Sequence, residues 1–88
     1  MCPTGHVVTV CIRWYAAAAD AAGTAEETVE AGDLAAVLAA ARERHGERLA
    51  QVLGVCSVLV DGQRTDPAAS VPLADGAVVD VLPPFAGG

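Results

Sequence analysis

Residues 32–46 read GDLAAVLAAARERHG. Asp33 suits a helix N-cap, because its carboxylate can accept from a backbone N–H that a helix start leaves without a partner. Leu34, Val37, Leu38, Ala41 and His45 fall at i, i+3, i+4, i+7 and i+11, one apolar stripe ending in a ring. Arg42, Arg44 and His45 stand at the C-terminal end, where cations suit the helix dipole, and Gly46 supplies the stop. The spacing predicts one well-formed helix with a single face to bury. The flanking sequence must supply the surface it lies on.

That surface reads as strands. In HVVTVCIRWY (6–15), Val8, Val10, Ile12 and Trp14 share one face, and Val7, Thr9, Cys11, Arg13 and Tyr15 share the other. AAAADAAG (16–23) is expected to be a short turn or loop, with Gly23 ending any helical turn the alanines start. EETVEA (26–31) is a brief strand, polar enough for a sheet edge. After the helix, Leu49, Val52 and Leu53 are placed to cover the core from a short helical turn. VCSVLVDGQRT (55–65) is a strand and a short return about Asp61-Gly62, a strong hairpin signal. DPAASVPL (66–73) is a loop broken by Pro67 and Pro72, and Asp75-Gly76 is a further turn. In AVVDVL (77–82), Val79 and Val81 face one way and Val78, Asp80 and Leu82 the other. One main helix and four or five short strands bury a core only if the helix crosses one face of the sheet, an α+β fold of two layers.

The chain has 88 residues, the size of one small domain. Its 11 acidic residues oppose five basic ones, all arginine, for a net charge of −6. Nucleic acid and anionic membranes require a basic face, so neither is an expected partner. The acidic balance suits docking on a basic partner. Cys2, Cys11 and Cys56 have neither disulfide-framework nor zinc-ligand spacing, and are read as reduced thiols, with Cys11 and Cys56 in strands. The N-terminus lacks a basic start and a small-residue cleavage site, and no apolar run reaches membrane-spanning length, so the cytoplasm is the expected compartment.

Motifs of autonomous catalysis are missing. A phosphate loop of the GxxxxGK[ST] type needs a lysine, and the chain has none. HExxH and GxSxG are absent as well. His6 and His45 read as solvated or cap-like histidines, and the acidic residues as scattered over turns and the helix surface. So small a domain offers little room for a substrate pocket.

The chemistry is expected in the tail, LPPFAGG (82–88). Pro83 and Pro84 stiffen it and push it into an extended path away from the sheet. Gly87 and Gly88 carry no Cβ, so their backbone can enter a slot too narrow for any side chain. The carboxylate of Gly88 is inert until a partner converts it to a mixed anhydride such as an acyl-adenylate. A sulfur nucleophile could then leave a thiocarboxylate. Residues 1–82 would be the folded domain and 83–88 the extended tail.

These features resemble the MoaD/ThiS family of ubiquitin-like sulfur carriers. The specific match is PLADGAVVDVLPPFAGG (72–88), similar to the ending of the branch that forms the small subunit of molybdopterin synthase. The strand entering IRWYAAAADAAG, the segment EETVEAGDLAAVLAAARERHG and VLVDG are more generic matches. The alanine run after Trp14-Tyr15 and the Asp at position 61 depart from the family's frequent residues.

The resemblance implies a ubiquitin-like β-grasp, a mixed sheet with its first and last strands adjacent and parallel. It implies a non-catalytic carrier that binds no cofactor itself. An ATP-dependent adenylyltransferase of the E1-like MoeB/ThiF type would activate Gly88, and a sulfur donor would form the thiocarboxylate. A synthase large subunit or another sulfur-accepting enzyme would receive it. Leu82, Pro83, Pro84, Phe85, Ala86 and Gly87 map onto the stretch lying along the partner. Val78, Leu82 and Phe85 would form an apolar docking patch. Molybdopterin is the leading destination, with thiamine, cysteine or a specialised metabolite as alternatives. A ubiquitin-like protein modifier and a plain binding subunit are the competing readings.

Overall fold

The computed structural model describes residues 7–67, 69 and 71–84. The elements are β1 (Val8–Trp14), α1 (Ala17–Ala22), β2 (Glu26–Ala31), α2 (Leu34–His45), α3 (Glu47–Leu53), β3 (Ser57–Val60), β4 (Gln63–Thr65) and β5 (Val78–Leu82). The five strands form one mixed sheet in the order β2-β1-β5-β3-β4. β1 pairs antiparallel with β2 and parallel with β5. β3 pairs antiparallel with both β5 and β4. The expected parallel neighbours, first strand and last, are therefore central, and EETVEA is an edge.

The strand alternation sorts side chains as read from the sequence. Val10, Ile12, Val58, Val79 and Val81 are fully buried, and Trp14 nearly so. Opposite them lie Leu34, Val37, Leu38 and Ala41 of α2, also buried. Asp33 caps α2 by accepting from the Ala36 N–H at 2.8 Å. Gly46 ends the helix at φ 90°, a backbone region that a Cβ disfavours. Residues 49–53 form the expected helical turn, extended to a whole helix, with Leu49 and Leu53 buried and Val52 packed at its margin.

Both Asp-Gly turns also position β5. Asp61 and Gly62 have φ of 49° and 85°, as a two-residue type I′ hairpin requires. The Asp61 carboxylate accepts from the Val78 N–H at 3.0 Å, and the Asp61 N–H donates to the Val78 carbonyl at 2.8 Å. On the other flank, Asp75 accepts from the Thr9 N–H at 2.9 Å, and Gly76 N–H donates to the Thr9 carbonyl at 2.8 Å. The start of β5 is thus tied to both of its neighbours by turn residues.

Three expectations need correction. The alanine run is a helix, α1, and not a turn or loop. Ala18 and Ala22 are buried, and small side chains let α1 lie close against α3. Gly23 ends it in the left-handed conformation at φ 77°, as anticipated. Cys56 is buried just before β3 rather than within a strand, and its thiol donates to the Val52 carbonyl. His45 is neither solvated nor a cap. Its Nε2 lies 2.5 Å from Glu27 Oε2, its side chain is 15% exposed, and its ring meets Trp14 edge-on.

Glu27 is the hub of that contact. It accepts from Trp14 Nε1 at 2.7 Å and from Arg44 at 2.7 Å, besides meeting His45. A carboxylate on β2 thereby fastens the end of α2 to the sheet. Burial pushes the Glu27 carboxyl up, but His45, Arg44 and Trp14 together hold it below its ordinary value. A depressed carboxyl stabilises the fold above its unfolded pKa, and that contribution is lost as pH falls through the folded value. Thermal melting between pH 7 and pH ~2.5 is expected to show Glu27→Gln less stable at neutral pH. Below the ordinary carboxylate range, the gap between wild type and Glu27→Gln is expected to narrow.

Ala16 precedes α1 at φ 51° and ψ −123°, a region suited to glycine, and its side chain is exposed. Ala16→Gly removes that strain without opening a cavity, and glycine is also accepted at an N-cap. The substitution is expected to stabilise the domain by about 1 kcal/mol, raising the melting temperature by roughly 4–8 °C.

Candidate docking face and tail exit

The sheet has one face under the helices and one open. On the open face the register brings Glu26, Arg13, Asp80, Leu59 and Arg64 into one row across all five strands. Leu82 stands beside Ser57 in the neighbouring row. Val78 is in register with Cys11. Val78 and Leu82 are half-buried on this face, as the alternation requires.

β5 leads directly into the exit of the tail. Pro83 is fully buried and Pro84 exposed, so among the described residues the last buried anchor lies at the end of the central strand. Ser57, Leu59, Arg64, Leu82, Pro83 and Pro84 line an open groove of about 260 Å³ at this exit. The groove is largely apolar, with Arg64 as its cation. Phe85, Ala86, Gly87 and Gly88 lie outside the described residues, as do Cys2 and His6. Of the residues assigned to docking, the structure therefore places Val78, Leu82, Pro83 and Pro84. Leu82 shares the groove with both prolines, whereas Val78 stands at the opposite end of β5.

Asp80 departs from the sequence reading. It shares the outer face with Val78 and Leu82, yet it is only 9% exposed. Arg13 donates from Nε to Asp80 Oδ1 at 2.9 Å, and the Tyr15 hydroxyl donates to the same oxygen at 3.2 Å. Two side chains from β1 and its exit thus fold over a carboxylate on β5. The Asp80 hydrogen bond and charge raise the Arg13 guanidinium above its ordinary value. Partial desolvation raises the Tyr15 phenol, reinforced by Asp80, whose charge opposes formation of a phenolate beside it. The signal for this cluster was the parallel pairing of β1 and β5, because position 13 meets position 80 only in that register.

A second cleft, about 330 Å³, opens on the helix side between α2, α3 and the loop after β4, lined by Arg42, Leu53 and Asp66 among others. Among the described residues no group of three His, Cys, Asp or Glu side chains could hold a metal ion. No helix among them is long and apolar enough to cross a membrane.

The family model of the ThiS family matches residues 12–88. The chain belongs to the ThiS family. The match runs from β1 through the sheet and the tail exit. No curated protein matches the sequence.

Among solved structures, a chain from the complex of subunits 1 and 2 of the molybdopterin-converting factor of Helicobacter pylori is 30% identical. The alignment covers 92% of this chain and 100% of that one, with a TM-score of 0.71. The small archaeal modifier protein 1 of Methanosarcina acetivorans is 23% identical, over 96% of this chain and 100% of that one, with a TM-score of 0.79. The protein of the same name from Haloferax volcanii is 22% identical, over 91% and 99%, with a TM-score of 0.76. At those identities the two archaeal likenesses establish the fold, a ubiquitin-like β-grasp.

Tyr15 is the one tyrosine in the chain, so its titration can be followed by absorbance without overlap. Asp80→Asn removes the anion beside it. The phenol is expected to titrate at lower pH in Asp80→Asn than in the wild type, moving back toward its ordinary value.

Proposed function

We propose that this ThiS-family chain is a sulfur carrier that serves molybdopterin synthesis, and that it performs no catalysis itself. The observation that carries the reading is the tail exit. A central strand ends at a buried Pro83, followed by Pro84-Phe85-Ala86-Gly87-Gly88 in the sequence. The folded domain would hold the carrier while the thin Gly-Gly segment enters the active sites of its partners. The likeness to a chain of the Helicobacter pylori molybdopterin-converting factor complex supports a synthase subunit as the final partner.

In this reading the Gly88 carboxylate oxygen attacks the α-phosphorus of ATP on an adenylyltransferase, and pyrophosphate leaves. Hydrosulfide-level sulfur from a donor then attacks the acyl carbon, and AMP leaves to give the thiocarboxylate. ATP belongs to the partner's site. Leu82, Pro83, Pro84 and Phe85 would lie along the partner, with Val78 at the far margin of the face. The cytoplasm is the setting this chemistry suits, since ATP and reduced sulfur are both present there.

The second reading is a protein modifier, in which the activated Gly88 is joined to an amine of another protein. The likeness to two small archaeal modifier proteins favours it. The chain has no lysine, so it could not extend itself into lysine-linked chains.

Intact-mass measurement separates these readings. The chain is incubated with ATP, a sulfide source and an adenylyltransferase of the same organism. The sulfur-carrier reading expects a mass rise equal to replacement of one oxygen by sulfur, lost when one residue is added after Gly88. Stable adducts with other proteins, and no thiocarboxylate, would favour the modifier. An unchanged mass with active adenylyltransferase would overturn the carrier reading.

A further inference from the structure

The chain is acidic, yet its open sheet face holds two guanidinium groups with unused donors. Arg13 engages Asp80 through Nε alone, and its side chain is 49% exposed. No described residue holds its two terminal nitrogens. The Arg64 side chain makes no hydrogen bond or ion pair to a described residue and is exposed. Asp80 is covered by Arg13 and Tyr15, so it adds little free negative charge between them. The other acids of this side stand at its margins, Glu26 and Glu30 on the β2 edge and Asp61 at the β3–β4 turn.

Arg13 and Arg64 lie in the same cross-sheet row, separated by Asp80 and Leu59. Three strand spacings set them about 14 Å apart at the backbone. Between them and beside Arg64 lies the apolar groove of Leu59, Leu82 and Pro83. The groove runs on into Pro83 and Pro84, so whatever fills it also lies beside the two prolines that lead into residues 85–88.

We infer that this face docks a protein surface presenting one apolar side chain between two carboxylates, the apolar group in the groove and the carboxylates on Arg64 and Arg13. The assignment rests on the carrier reading for the partner's identity, the enzyme that adenylates the tail. It adds the polarity of the contact, which is opposite to what the chain's net charge of −6 would suggest. Charge order along the row fixes the direction in which the partner lies. An acidic site on the β4 side is attracted, while the β2 margin, with Glu26 and Glu30, repels it. Guanidinium groups favour this task because they can bind a carboxylate through two parallel hydrogen bonds. Arg64 acts as an orienting contact of the docking face, outside the reacting atoms.

The test is calorimetric titration of the full chain into the adenylyltransferase of the same organism without ATP, at low and high salt. ATP is then added and adenylate is read by mass. Arg64→Glu is expected to weaken binding about tenfold and to flatten its salt dependence. Arg64→Lys should bind between the two, and Arg64→Ala separates loss of attraction from added repulsion. Arg64 is exposed, and circular dichroism of each variant confirms an intact fold. Wild-type binding that is insensitive to Arg64→Glu and to salt would overturn the inference, even if adenylate forms. Charge-dependent binding without adenylate would support the inference and overturn the carrier reading. No binding of the wild type would overturn the inference.

Discussion

The parallel pairing of β1 with β5 is the constraint on which the rest of this molecule depends. Parallel neighbours cannot be joined by a tight turn, so the chain must travel over the sheet and return. Here the intervening chain supplies β2, the three helices and the β3–β4 hairpin before β5 slots in between β1 and β3. That arrangement makes the last strand a central one. Both its edges are paired, and its inward residues Val79 and Val81 are fully buried. A tail leaving such a strand has a fixed origin, because Pro83 is buried with it.

The two faces of the sheet are held by different physics. Under the helices, stability comes from packed Val, Ile and Leu side chains, with the Glu27 contacts fastening the end of α2. A buried apolar side chain contributes about 1.5–3 kcal/mol, so these positions dominate the energetics. Exposed pairs such as Arg48–Asp20 add little by comparison. On the open face, Arg13 and Tyr15 neutralise and cover Asp80, leaving Leu59 and Leu82 half-buried beside Arg64. One face has finished its packing, and the other retains apolar area and unused donors next to the tail.

Much of the helix, the strands and the turns was legible because each signal is local. Asp33, the stripe from Leu34 to Ala41, and Gly46 define α2 within one segment. Asp61-Gly62 and Asp75-Gly76 specify turns through backbone geometry that few other residues accept. The alanine run was misjudged for a physical reason. Propensity favours a helix there, but so short a helix needs tertiary packing, and the buried Ala18 and Ala22 against α3 provide it. The last strand's place beside the first was legible only through family resemblance, since strand order follows from long-range pairing.

The amino-acid sequence by itself determined the two-layer α+β composition and the buried faces of β1, α2 and β5, and it supplies the Pro-Pro-Phe-Ala-Gly-Gly segment on which the proposed chemistry rests. Local backbone preference and the periods of strand and helix are enough for that. Only the tertiary structure decided that Asp80 meets Arg13 and Tyr15, that Glu27 gathers Trp14, Arg44 and His45, and that Arg64 stands over the tail groove. Those partners lie 13 to 67 residues apart in the chain. Strand register, a property of the whole sheet, is what brings them within reach.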